Sequence, residues 1–255
     1  MSSAFTVCVT NFKRADKLRR VLESVRGAQV VVATYGSTPE NVQIVKAVSP
    51  HIPHFYTPED HGCNRLWIQA AEMARTRWIS FLPDDDLRPP GFVEAAESFC
   101  GLLERNNAGF GAWNGQAFFW NSGKLGHAMN TCFEEEGVYA SGPLVEKVLR
   151  PGTYPFSQVA FLYDRETTLD VLQWCEANLK DCCTRPEMMI GNDIALTLGH
   201  VQRFSRVGQC AKRLTWYGHW DGSETLQAGN TNLMRAYDLA RLKLAGVVFP
   251  VRKPL

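Results

Sequence analysis

No apolar run in the chain approaches the ~18 residues that a membrane-spanning helix needs. The first residues, Met1-Ser2-Ser3-Ala4-Phe5, have neither the basic nor the apolar region of a secretory leader, so a cytoplasmic protein is expected. Charge of one sign is also missing. Its 27 Lys and Arg against 26 Asp and Glu leave a formal net charge of +1, without the basic field that nucleic-acid binding usually requires. The eight cysteines, Cys8, Cys63, Cys100, Cys132, Cys175, Cys182, Cys183 and Cys210, contain no CxxC pair and no zinc spacing. They are expected to be reduced thiols, several of them buried, rather than a disulfide framework. Repeats, low-complexity tracts and a GxxxxGK[ST] phosphate loop are absent. The glycines of Gly109 to Gly115 open no helix, so a dinucleotide fingerprint is discounted.

Hydrophobic residues at 45% and charged residues at 21% are ordinary for a soluble globular protein, and 255 residues suffice for one large α/β domain. One stretch stands out. Trp78-Ile79-Ser80-Phe81-Leu82 has the length of a buried strand and empties into Pro83-Asp84-Asp85-Asp86, and Pro89-Pro90 then ends any continuation. Three adjacent carboxylates are costly to desolvate unless cations or donors meet them. Beyond the carboxyl end of a strand in an open α/β sheet, such oxygens suit Mg²⁺ or Mn²⁺ with substrate phosphates completing the shell. The competing reading is an acidic turn in which Asp86 or a neighbour caps the helix starting near Pro90.

In order along the chain, Phe5–Thr10 reads as a buried strand, Asn11–Arg14 as a turn, and residues 15–26 as a helix with Leu18, Val21, Leu22 and Val25 on one face. Gln29–Ala33 is a second strand. The loop Thr34–Pro39 ends in helix-start signals, with Ser37 or Thr38 as cap, and that helix runs to about Val48. A short strand near Ile52–Tyr56 and a helix from about Asn64 to Ala74 precede the Asp-bearing strand. His51, His54 and His61 read as ordinary surface histidines. This β-α-β-α-β-α-β order predicts a parallel sheet wound by helices. Beyond it come a helix over about Gly91–Arg105, an aromatic-rich strand over Gly109–Trp120 and a short helix near Pro143–Leu149. A strand over Phe156–Tyr163, a helix over Asp164–Leu179 and a last helix over about Asn230–Leu244 follow. One domain is expected over 1–255, with a nucleotide-binding half at about 1–108, an acceptor and catalytic half at about 109–229, and a C-terminal helix and tail at about 230–255.

Four elements in this order resemble the family 2 inverting glycosyltransferases, enzymes of GT-A fold. They are the strand ending in Thr10-Asn11-Phe12-Lys13-Arg14, the segment Val31 to Thr38, the strand Trp78 to Leu82 running into Asp84-Asp85-Asp86, and Gly191-Asn192-Asp193 with the helix Ile194–Gly199 and the strand-like Arg203–Val207. Thr34 and Tyr35 stand where that family usually carries acidic residues for the nucleotide base, and Asn192 stands where it usually carries Glu. The resemblance implies a mixed, mostly parallel sheet flanked by helices. It also implies transfer of a sugar, with inversion, from a nucleotide-diphosphate donor (a UDP-sugar is favoured) to a hydroxyl of a glycan-type acceptor. Asp86 and His219 are then the expected ligands of Mn²⁺ or Mg²⁺, and Asp84 and Asp85 serve ribose or metal. Thr10, Asn11, Arg14 and Thr34 approach the nucleotide, and Asp193 is the general base. A positioned carboxylate in that role contributes ~10²–10⁴ in rate.

Each role has a plainer competitor. Asp193 is well placed to cap the helix beginning at Ile194. His219, in the expected loop Trp216-Tyr217-Gly218-His219-Trp220-Asp221-Gly222, also reads as a surface histidine between packing tryptophans. That loop is expected to close over the donor, with Lys212 and Arg213 at its base. Trp113, Phe118, Phe119 and Trp120 are expected to divide between cleft and core. The last helix packs on the domain, and a peripheral membrane contact helped by Arg252 and Lys253 is the lesser alternative. Two other functions fit the pattern less well. A sugar-nucleotidyltransferase usually carries a Gly-rich basic loop after its first strand, and Thr10 to Ala15 has no glycine. A non-catalytic glycan- or nucleotide-binding module is favoured only by Thr34 and Tyr35.

Overall fold

The computed structural model describes residues 3–129, 132–151, 157–179, 191–219 and 231–250, with backbone alone for 231–234. Strands β1 (Phe5–Phe12), β2 (Gln29–Tyr35), β3 (His54–Thr57) and β4 (Trp78–Pro83) alternate with helices α1 (Ala15–Ser24), α2 (Pro39–Val48) and α3 (Cys63–Met73). Then follow α4 (Phe92–Arg105), β5 (Phe110–Phe119), β6 (Lys124–Met129), β7 (Gly137–Ala140) and α5 (Pro143–Leu149). A 3₁₀ turn (Gln158–Ala160), β8 (Phe161–Asp164), α6 (Arg165–Asn178), α7 (Asn192–Arg203), β9 (Arg206–His219) and α8 (Thr231–Leu244) complete the described chain.

The strands form one sheet in the order β3-β2-β1-β4-β8-β5-β9-β7, with β6 paired to β5. β3, β2, β1 and β4 are mutually parallel, as their helical crossovers require. β8 is antiparallel to both β4 and β5, and β9 is parallel to β5. Two reversals restore direction, so β1, β2, β4, β5 and β9 all present their carboxyl ends at the same edge. That edge is where an open α/β sheet receives its ligand.

Burial follows from the sequence pattern. Phe5, Val7, Cys8 and Val9 of β1 are completely buried, because helices cover both faces of a parallel sheet. The apolar stripe of α1, Leu18, Val21 and Leu22, lies in the same core. Trp67 of α3 stacks on Phe81 of β4 at 4.4 Å, and Phe92 packs edge-on against Phe5 and Trp113 at 5.7 Å each. Thr38 caps α2, in a capping box with Asn41.

Several boundaries differ from the sequence reading, each because pairing extends a strand past its apolar run. Asn11 and Phe12 belong to β1, and Thr34 and Tyr35 to β2, since the two strands stay in register through Phe12↔Tyr35. The segment Phe156–Tyr163 is not a continuous strand. Among its described residues, a 3₁₀ turn precedes a short β8 that begins at Phe161. β6 and β7 escape the sequence pattern because they are short, partly exposed and punctuated. Trp216 to His219 are the end of β9, not loop, because β5 pairs with them out to Phe119↔His219. Trp220, Asp221 and Gly222, with Cys182, Cys183, Arg252 and Lys253, lie outside the described residues. Among the described residues, no helix is long and apolar enough to cross a membrane.

Candidate active site

β1 and β4 lie side by side with Thr10 opposite Pro83, so the residues that follow in each strand are neighbours. Thr10 itself is buried. Asp84 is buried too, and both its oxygens are engaged by the protein. Oδ2 accepts from Asn11 Nδ2 at 2.7 Å and from the Phe12 N–H at 2.9 Å, and Oδ1 accepts from Arg14 Nη1 at 2.8 Å. The same guanidinium nitrogen donates to Asp85 Oδ2 at 2.8 Å. Asn11 is held from behind, because its Oδ1 accepts from Asn41 Nδ2 at 3.0 Å and Asn41 Oδ1 accepts from the Thr38 backbone N–H at 2.9 Å. The first turn of α2 therefore orients Asn11, which orients Asp84, which holds Arg14 against Asp85. Burial raises the Asp84 pKa and Arg14 opposes that rise.

Asp86 is placed by β9. Leu87 and Trp216 exchange two backbone hydrogen bonds of 3.0 and 2.9 Å, and the Gly218 N–H donates to Asp86 Oδ1 at 2.8 Å. Trp120 donates its indole N–H to the Asp85 carbonyl at 2.7 Å and its backbone N–H to the His219 carbonyl at 3.0 Å. The approach is so close that a Cβ on Gly218 would stand 1.7 Å from the Asp85 carbonyl oxygen, so only glycine fits. The capping reading of Asp86 is overturned. α4 starts at Phe92 behind Gly91 without a side-chain cap, and the Asp86 carboxylate turns to β9 instead. Burial and the neighbouring Asp85 charge raise the Asp86 pKa, and the Gly218 N–H and Arg88 oppose them.

Arg88 lies beneath the acidic turn and is itself buried. Its Nη1 donates to the Val159 carbonyl at 2.7 Å, to the Leu214 carbonyl at 3.2 Å and to Thr215 Oγ1, and its Nη2 donates to Ser80 Oγ at 2.7 Å and the Phe81 carbonyl at 2.9 Å. The guanidinium also lies 4.8 Å from the Phe92 ring centre and 5.0 Å from that of Trp113. Burial lowers its pKa to about 10, so the cation persists and counters Asp86.

α1 adds two cations along the same edge. Lys17 is buried with its ammonium 5.4 Å from the Trp120 ring centre, and Arg20 spans Phe118 at 4.9 Å and Trp120 at 5.3 Å. Trp113 and Phe118 are core, Trp120 is half-buried over the acidic turn, and Phe119 is exposed.

The His219 Nε2 is buried and has no hydrogen-bond partner among the described residues. Its ring lies 5.5 Å from Phe119 and 6.5 Å from His127. Burial, and then the His127 charge, lower its pKa, favouring the neutral form in which imidazole ligates metals. Among the described residues, no three His, Cys, Asp or Glu side chains converge as a complete metal set. Thr34 does not open to the edge, because its hydroxyl is paired with His54 Nε2 at 2.9 Å. His54 is accordingly not an ordinary surface histidine. It sits on β3, and burial pushes its pKa down to about 4, so it is neutral. Tyr35 is packed edge-on against Phe55 and His61.

Asp193 is the second residue of α7, in its first turn. Gly191, at φ 107°, is the N-cap, so Asp193 is not the capping residue the plainer reading made it. Its Oδ1 accepts from the Ile194 N–H at 2.9 Å, and its Oδ2 accepts from the Tyr237 hydroxyl of α8 at 3.3 Å. Burial raises its pKa to about 6, with both donors and Arg241 opposing. Tyr163 lies within electrostatic reach of Asp193 and Tyr217, and Tyr217 within reach of Asp86. Asn192, also buried, donates to Asn64 Oδ1 at 3.5 Å and faces inward. The sequence reading gave no site role to Asn41, Lys17, Arg88, Gly218 and Tyr237, and left Trp120 between cleft and core. Only Lys17 carried a signal, one helical turn beyond Arg14, because the rest depend on contacts between distant segments.

A mostly parallel sheet that gathers carboxylates, cations and a late histidine at its carboxyl edge defines a GT-A glycosyltransferase architecture. The family model described as glycosyl transferase family 2 matches residues 6–163, and the chain belongs to that family. Among solved structures the chain is similar to S. aureus TarS, at 16% identity and a TM-score of 0.59, covering 86% of this chain and 37% of that one. It is also similar to TarS 1-349 in complex with UDP-GlcNAc, at 14% identity and a TM-score of 0.60, covering 89% and 61%. The complex with UDP gives 15% identity, a TM-score of 0.57 and coverage of 85% and 60%. The chain therefore spans between about a third and three fifths of those proteins, and the likeness is one of fold. A search of curated proteins by sequence matches none.

Proposed function

We propose that the chain transfers a sugar, with inversion, from a UDP-sugar to a hydroxyl of a glycan-type acceptor. The observation that carries this reading is the Asn11–Asp84–Arg14–Asp85 network at the carboxyl ends of β1 and β4, which fixes one cation between two carboxylates where a diphosphate would lie. The solved complexes of the similar fold with UDP and UDP-GlcNAc support the choice of base.

The residues fit a divalent ion. Asp86 carries a buried carboxylate under anionic repulsion, and His219 has a buried nitrogen without a partner among the described residues, and these are the groups that would hold Mg²⁺ or Mn²⁺ with phosphates and water completing its shell. Such an ion, when bound, supplies Lewis-acid stabilisation of the departing diphosphate. Arg14 and Lys17 add fixed positive charge to the same edge. Asp84, with both oxygens engaged, organises the turn, and Asp85, paired with Arg14, would meet ribose or metal. Asp193 takes the proton of the acceptor hydroxyl as its oxygen attacks the anomeric carbon opposite the leaving group. A carboxyl with a pKa near 6 is ionised at neutral pH yet basic enough for that transfer.

A non-catalytic nucleotide-binding module is the second reading, favoured by Thr34 and Tyr35 being taken up by His54 and by ring packing. Calorimetric titration with UDP and GDP, each with and without Mn²⁺, tests the main one. Metal-enhanced UDP binding with release of UDP from a UDP-sugar is the expected result. Binding without turnover of any donor would favour the module.

A further inference from the structure

We propose that Tyr237 holds the acceptor's place on Asp193, so that α8 shields the base from water until an acceptor hydroxyl displaces the phenol. The inference rests on Asp193 being the base. Its two oxygens are not equivalent. Oδ1 is committed to the Ile194 N–H at 2.9 Å, a contact internal to the first turn of α7. Oδ2 is the oxygen left to receive a proton, and the Tyr237 hydroxyl donates to it at 3.3 Å, the long end of hydrogen-bond distance. A phenol and an acceptor hydroxyl are alike as donors to this oxygen, and the Tyr237 phenol already occupies one of its lone-pair sites.

The cover is built closely. A Cβ on Gly191 would stand 2.7 Å from the Ala240 Cβ, so α8 crosses directly over the turn that begins α7. Arg241 anchors α8, donating from Nε to the Val148 carbonyl of α5 at 3.0 Å and from Nη1 to Asp238 Oδ1 at 2.6 Å. Asp193 is left only 6% exposed, whereas Tyr237 is half-buried, so the carboxylate is the better sealed of the two. The other groups facing Asp193 are Arg241 and the buried phenol of Tyr163.

The reaction being suppressed is donor hydrolysis. Water would lose a proton to Asp193 Oδ2 as its oxygen bonds to the anomeric carbon, and the bond from that carbon to the phosphate oxygen would break with its electron pair leaving on the diphosphate. Without acceptor, UDP release from UDP-GlcNAc is measured for the wild type, Tyr237→Phe, Asp193→Asn and the double variant. Tyr237→Phe should release UDP at least about threefold faster, and Asp193→Asn should abolish the increase. An unchanged or slower rate for Tyr237→Phe, with Asp193→Asn inactive, overturns the shield and leaves the base in place. Wild-type turnover by Asp193→Asn overturns the base and the shield with it. Carboxylate ¹³C NMR titration of Asp193 reads the contact whether or not UDP-GlcNAc is a substrate. Loss of the phenol should move the midpoint upward, and an unchanged midpoint overturns the proposal.

Discussion

Asp193, the proposed base, is held where burial costs the protein stability. A carboxylate whose folded-state pKa is raised costs stability at pH values above its unfolded value near 3.8, and the whole cost is present above about 6. Asp193→Asn should therefore stabilise the protein at pH 7.5 by up to about 3 kcal/mol, seen as a higher denaturant midpoint, while turnover falls by ~10²–10⁴. With the wild type, kcat/KM should rise with pH and level off above about 6, because the base works only when ionised. An acid limb absent between pH 5 and 7 would count against the assignment. Arg88 is the opposite case, a buried charge with nearly all its donors satisfied. Arg88→Met removes the cation opposing Asp86, strands the Ser80 hydroxyl and takes a donor from the Leu214 and Phe81 carbonyls. Urea denaturation should show a loss of about 3–5 kcal/mol.

At the scale of elements, the site depends on where two strand ends meet. β9 reaches the acidic turn because its residue 218 has no side chain. Gly218→Ala pushes a methyl group into the Asp85 carbonyl and must separate β9 from the turn. Calorimetry should then show Mn²⁺-dependent UDP binding weakened at least tenfold, with a smaller effect on metal-free binding. The first turn of α2 acts at longer range. Thr38→Ala removes a cap worth about 1 kcal/mol and loosens Asn41 behind Asn11, so a lower melting temperature should come with weaker nucleotide binding. The helices of the first half, and the Thr38 cap, were legible in the sequence because their signals are local. Periodicity marks a buried face, and a Thr-Pro pair marks a helix start. The ends of β1, β2 and β9 were not legible, because a polar residue joins a strand when its neighbour supplies the ladder.

In the whole molecule, one sheet carries both halves, and the β4–β8–β5 pairing brings β9 to the edge that β1 and β4 already define. Its thiols report how that interior is sealed. Burial pushes up the thiols of Cys8, Cys100, Cys132 and Cys210, whereas Cys63 is half-buried. Under native conditions a thiol reagent read by peptide mass mapping should label Cys63 ahead of those four, and denaturation should expose them all. The sequence by itself determined the alternation of strands and helices, the carboxylates at the end of β4 and the family, because apolar periodicity and adjacent motifs are written along the chain. Only the tertiary structure decided that Asp84 is taken up by Asn11 and Arg14, that Asp86 turns to Gly218 rather than to a helix, that Thr34 pairs with His54, and that Tyr237 covers Asp193. Each of those outcomes is a contact between segments far apart in sequence, and a buried polar group takes whichever partner the fold brings within reach.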